Sequence, residues 1–150
     1  EGIILPYIHP GAKLGVLLEI NCETDFVANT DDFKNLSKDI AMHIAASAPM
    51  SVSREEIPQE TLKREKEIYA DQARQSGKKE DIIEKMTEGR LNKFYQENVL
   101  LEQTFVKDPD KTVSDLITET VAKLGENILV SRFSRFQLGE KTNNIVPADN

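Results

Sequence analysis

The sequence predicts an α+β fold: a small antiparallel sheet of about three strands packed with helices, plus a projecting αα-hairpin. Three observations carry this. Strand-like apolar segments stand near both ends of the chain, helical patterns lie between them, and the two kinds do not alternate as βαβ units would. In the middle, residues 59–96 are mixed in charge, with apolar stripes too narrow for a core-facing helix.

Residues 3–8 are apolar and β-branched, and His9-Pro10-Gly11 is a turn signal. In residues 14–21, Leu14, Val16, Leu18 and Ile20 alternate with a set that turns polar at Glu19 and Asn21, the period of a strand with one buried face. The two segments form a hairpin. After Cys22-Glu23-Thr24-Asp25-Phe26-Val27, the residues Asn29, Thr30, Asp31 and Asp32 supply caps and first-turn acids for a helix. Phe33, Leu36, Ile40 and Ile44 carry its apolar face until Pro49, so it packs on the hairpin.

Residues 50–59 lose all period and form a connector. Two helical stretches follow, 59–76 and 79–96, broken at Ser76-Gly77. Leu62, Ile68, Tyr69 and Ala73 stripe the first, and Ile83, Met86, Leu91 and Phe94 stripe the second, a pattern suited to an arm that projects and pairs. Residues 99–106 return to the core and Asp108-Pro109-Asp110 makes a turn. Thr112-Val-Ser-Asp115 reads as a capping box before a helix bearing Val113, Leu116, Ile117, Val121 and Leu124, closed by Gly125. A last strand over 127–136 pairs with the N-terminal hairpin. The chain therefore divides into 1–50 and 99–139 as two parts of one core, 51–98 as connector and arm, and 140–150 as a flexible tail.

Composition narrows function. The 150 residues carry 26 acidic and 19 basic side chains, a formal net charge of −7, and seven acids against three bases fall in the first fifty. Basic residues never cluster beyond pairs, so direct nucleic-acid binding is not expected. No apolar run approaches the roughly 20 residues of a membrane span. One cysteine, Cys22, excludes an intrachain disulfide and fits a reducing compartment. The start at Glu1, with Ile3 and Ile4 arriving at once, reads as a fragment or processed form.

No enzyme signature emerges. The seven glycines form no phosphate loop, and two His and one Cys lie too far apart in sequence for a metal motif, so neither cofactor nor metal is expected. Cys22 with His43 could be drawn as a catalytic pair, against a buried thiol and a helical His near the surface. Glu19, Glu23 and Asp25 could be acid–base carboxylates, against solvated acids flanking a turn. Phe26 has two readings as well. It plugs the local core while Asp25 caps, or it stands out as an aromatic wedge beside a carboxylate, of the kind that anchors interfaces.

Residues 15–28, GVLLEINCETDFVA, resemble the signature of the translation elongation factor Ts family. In the same order, DIAMHIAA (39–46), EGRLNKF (88–94), LLEQTFV (100–106), KTV (111–113), GENI (125–128) and RFSRF (132–136) resemble further family blocks, over about residues 7–139. Thr104 stands where the family usually has Pro, and Val99 where many short members have Cys. The family's N-terminal ubiquitin-associated-like domain has no counterpart in these residues.

The resemblance implies a guanine-nucleotide exchange factor for elongation factor Tu, binding its GDP and nucleotide-free forms, and not an enzyme. Thr24, Asp25, Phe26 and Val27 would dock beside the switch region, with Asp25 and Phe26 intruding near the partner's Mg²⁺ site and loosening GDP. His43 and Leu14 would be further contacts. The helical hairpin corresponds to the family's dimerisation arm, placing Leu62, Tyr69, Ile83, Met86, Leu91 and Phe94 at a homodimer contact in a two-plus-two complex. The compartment would be the bacterial cytoplasm, with mitochondrion or plastid stroma as the alternative. A module that binds elongation factor Tu or the ribosome without exchange activity is the competing reading.

Overall fold

The N-terminal hairpin forms as its alternation demands. A computed structural model describes residues 1–141; the tail predicted at 140–150 lies outside the described residues from 142 onward. Strands β1 (Gly2–Ile8) and β2 (Leu14–Asn21) pair antiparallel, and β5 (Leu129–Gln137) pairs antiparallel on the other side of β2, giving the order β1-β2-β5. The register shifts between Glu19 and Ile20, a bulge that lets Ile20 oppose Val130 while Glu19 opposes Arg132.

One face of this sheet builds the core. Val16, Leu18, Ile20 and Val130 are buried against Phe33, Leu36, Ile40 and Ile44 of α2 (Asp31–Ser47), and Val113 and Ile117 of α5 (Val113–Leu124) close the cluster. Burying each large apolar side chain is worth about 1.5–3 kcal/mol, so this layer dominates the fold's stability. Helix α2 starts where Thr30 accepts the Phe33 amide and ends at Ala48 in the left-handed conformation (φ 46°). Arg135 crosses from β5 to donate twice to the Ala45 carbonyl, setting a cation against the negative end of the helix.

The arm is α3 (Gln59–Gln75) and α4 (Glu80–Asn98), and its base is clamped. The connector at residues 50–59 is tied down at this base. Met50 donates to the Asn98 carbonyl, Leu100 to Ser51 and Leu101 to Val52, stitching the chain entering the arm to the chain leaving it. Ile57, Leu62 and Val99 form a second small core there, joined by Leu91, Phe94 and Tyr95. Arg54 lies 4.2 Å over the Tyr95 ring and pairs with Glu102.

One element differs in kind from the sequence reading. Asp108-Pro109-Asp110 is not a turn: β3 (Thr104–Phe105) and β4 (Asp108–Thr112) pair antiparallel, and the chain reverses earlier, at Val106 and Lys107. An Asp-Pro-Asp run disfavours a strand because proline cannot donate to a ladder, but at the edge of a two-stranded ribbon no such bond is required. The capping box at Thr112 and Asp115 forms in both directions.

Candidate functional site

The chain leaves β2 at Asn21 and must reverse before α2 begins at Asp31, and it does so through a single helical turn, α1 (Asp25–Ala28). Thr24 caps it, its Oγ1 accepting the Val27 amide at 3.3 Å. At the other end Asn29 Nδ2 donates to the Asp25 carbonyl (2.9 Å) and carboxylate (3.2 Å), and Thr30 Oγ1 donates to the Val27 carbonyl at 2.7 Å. Val27 and Ala28 are buried in the main core, which roots the turn.

Rooting Val27 and Ala28 turns Phe26 outward. Its side chain is 82% exposed, the most exposed of the protein's large apolar residues among those described. The reading in which Phe26 plugs the local core is thus overturned, and Asp25 is not the cap. Exposing an aromatic on a turn tied down at both ends costs solvation, yet the same turn holds the ring ready for another surface.

The turn is also tied across the molecule. Glu126, half-buried just after the left-handed Gly125 (φ 75°) that ends α5, accepts from the Glu23 amide (3.2 Å), the Thr24 amide (3.0 Å) and the Thr24 hydroxyl (2.6 Å). In return Glu23 Oε2 accepts the Asn127 amide at 2.9 Å. Sequence reasoning missed Glu126 as a site residue, because its partners lie about a hundred positions away and no local pattern links them.

The other expected site residues scatter. Val27 is 4% exposed and faces the core rather than solvent. Leu14 is half-buried against the core at the opposite end of β2, roughly 23 Å from Asn21 at about 3.3 Å per residue. His43 is fully buried, not near the surface, and lies toward that same far end of the molecule. The Val106 amide donates to its Nδ1 (3.2 Å), so the neutral ring carries its proton on Nε2 and donates to Gln103 Oε1 (2.9 Å). Gln103 Nε2 in turn donates to the Glu97 carbonyl at 2.8 Å. Burial lowers the His43 pKa, opposed by the Gln103 hydrogen bond.

The imagined Cys22–His43 pair does not assemble. Cys22 sits beside the wedge, its thiol donating to the Thr24 carbonyl at 3.2 Å, while His43 is held by Gln103 and Val106. Burial first, and then the Glu126 carboxylate, push the Cys22 thiol pKa up, the opposite of what activates a nucleophile. Among the described residues no group of three or more His, Cys, Asp or Glu could hold a metal ion, and no helix is long and apolar enough to cross a membrane.

Most of the arm's stripe residues turn inward. Leu62, Leu91 and Phe94 pack at its base, Ile83 is buried between the helices, and Tyr69 lies 5.1 Å beneath Arg90. Of the six residues expected at a dimer contact, only Met86 is exposed; Ile68 of the first helix and Ile82, one turn before Met86 on the second, are exposed as well. A larger apolar set stands on the outer face of the sheet, where Ile4, Ile8, Leu17 and Phe136 all point away from the core.

Fold and site together define an α+β protein with a clamped helical arm and a braced turn that presents one aromatic side chain. The sequence profile described as Elongation factor TS matches residues 1–140. The chain belongs to the elongation factor Ts family. It is 61% identical over 140 residues to the Elongation factor Ts of Geobacter sulfurreducens, an alignment covering 93% of this chain and 65% of that protein. Against the Elongation factor Ts of Thermoanaerobacter sp. it is 56% identical, covering 93% and 69%, and against that of Fervidobacterium nodosum 57%, covering 93% and 71%. The chain thus spans about two thirds of the length of these relatives.

Proposed function

We propose that this chain acts in translation elongation as a guanine-nucleotide exchange factor on elongation factor Tu, in the bacterial cytoplasm, with the Asp25–Phe26 turn as its wedge. The observation that carries this is the 82% exposure of Phe26 on a turn capped at Thr24 and rooted through Val27. A braced aromatic can enter a seam between two helices of a partner without first paying the entropy of ordering its own loop. Beside the partner's Mg²⁺ and switch region, the ring and the Asp25 carboxylate would displace groups that hold GDP. Linkage makes the effect mutual: each tenfold weakening of GDP, about 1.4 kcal/mol, weakens the factor equally when nucleotide is bound, so incoming nucleotide expels it.

Release of labelled GDP from elongation factor Tu tests this with the intact chain, with Phe26→Ala and with Cys22→Ser. Acceleration by the intact chain and by Cys22→Ser, lost in Phe26→Ala, is the expected result. Binding without acceleration would replace the reading with that of a passive elongation-factor-Tu-binding module. The burial of Val27 and His43 favours supporting roles for them, fixing the turn and the 104–107 ribbon, over direct contact.

Self-association is proposed through the outer face of the sheet, with the arm as the other candidate surface. Most of the arm's apolar residues pack within the chain and leave Ile68, Ile82 and Met86 partly exposed, whereas the outer sheet face leaves Phe136 71% exposed across Gly15 from Ile8, with Leu17 beside them. A two-fold dimer would bury this one face on both copies. Sedimentation at micromolar concentration is expected to show a dimer that Phe136→Asp dissociates and Met86→Asp does not; the reverse pattern would return the interface to the arm.

A further inference from the structure

We infer that Glu126 is a positioning residue for the wedge, acting through Thr24 to fix the orientation of Phe26; this rests on the exchange reading above. The geometry is a relay. One carboxylate oxygen takes the Glu23 and Thr24 amides, and the other takes the Thr24 hydroxyl at 2.6 Å. With its proton committed to Glu126, the hydroxyl has its lone pairs left for the Val27 amide, the bond that closes the turn carrying Phe26. Charge-assisted bonds of this kind are roughly twice as strong as neutral ones, and three converge on a single half-buried carboxylate.

The device is reciprocal. While Glu126 holds the 23–24 backbone, Glu23 holds the Asn127 amide, so the end of β2 and the turn after α5 are locked in both directions. Both carboxylates accept from backbone N–H groups: Glu126 from two, Glu23 from one. Gly125 aims the lock. Its left-handed backbone ends α5 and returns the chain toward Glu23, and a side chain there would be strained. Val27 and Ala28 root α1 in the core, Thr30 ties its end to α2, and Glu126 ties its start to the turn after α5.

The test uses the full chain as wild type, Glu126→Ala, Glu126→Gln, Phe26→Ala and the Glu126→Ala/Phe26→Ala double variant. Thr112→Ala, which breaks the α5 capping box without touching the turn, controls for lost stability. Amide hydrogen exchange over residues 23–28 is expected to speed up by about tenfold or more in Glu126→Ala and to stay near wild type in Thr112→Ala. GDP release per unit factor should fall by roughly tenfold in Glu126→Ala, chiefly as a higher half-saturating concentration, and by less in Glu126→Gln, which keeps one acceptor oxygen. In the Phe26→Ala background the Glu126→Ala change should add less than about twofold, because both act through one ring.

Unchanged protection of residues 23–28 in Glu126→Ala would overturn the positioning role, and so would effects of the two substitutions on GDP release that simply multiply. A wild-type chain that leaves GDP release unaltered would overturn the exchange reading alone, since lost protection in Glu126→Ala would still establish that this carboxylate holds the turn.

Discussion

The wedge turn and the helical arm solve opposite problems. The turn has four helical residues, too few to be stable alone, and is held by bonds to distant parts of the chain: Glu126, Asn127 and the core beneath Val27. The arm has two helices of 17 and 19 residues and packs most of its apolar residues into its own seam and base, leaving Ile68, Ile82 and Met86 partly exposed. An element whose apolar groups pack mostly among themselves is a strut. One that is tied down elsewhere and still displays its largest apolar group is built to meet another surface.

The most disruptive way to separate the two is Ile83→Asp, which puts a charge in the buried seam of the arm. A cost on the order of 3–4 kcal/mol is expected, read as lost amide protection across α3 and α4 while the three-stranded sheet keeps its own. GDP release should retain its dependence on Phe26. If protection of residues 23–28 vanished as well, turn and arm would be one cooperative unit and the contrast would fail.

A smaller effect sharpens the link between core and arm base. His43 is neutral in its network, and its pKa is lowered by burial, so the unfolded chain binds the proton more readily. Stability from this group is full above the unfolded value near 6.5 and declines as pH falls from there toward the lower folded pKa. Protonation would set N–H against the Val106 N–H, loosening the β3–β4 reversal. Thermal melts of wild type and His43→Gln between pH 7.5 and 5.5 should converge as pH falls; parallel curves would contradict the assignment.

Much of this architecture was legible in the residues. The alternation from Leu14 to Ile20, the Thr30 cap, the Ser76-Gly77 break and the Thr112–Asp115 box each place an element by local chemistry, and each element forms there. The exposure of Phe26 was not legible, because a single helical turn has no period to read. The inward stripes of the arm share a spacing with outward ones, and only tertiary packing distinguishes them. His43 and Glu126 are defined by Gln103 and Thr24, sixty or more positions away, where sequence spacing carries no geometry.

The central claim is that a braced, exposed aromatic is the working part of this protein. It is tested most directly by GDP release from elongation factor Tu with wild type and Phe26→Ala, each checked by its melting temperature. Because Phe26 touches little of its own chain, the substitution should leave stability within about 0.5 kcal/mol. Acceleration should fall by roughly thirtyfold or more, the loss of a central anchor worth about 2 kcal/mol. Equal acceleration by the two proteins at equal stability would contradict the account.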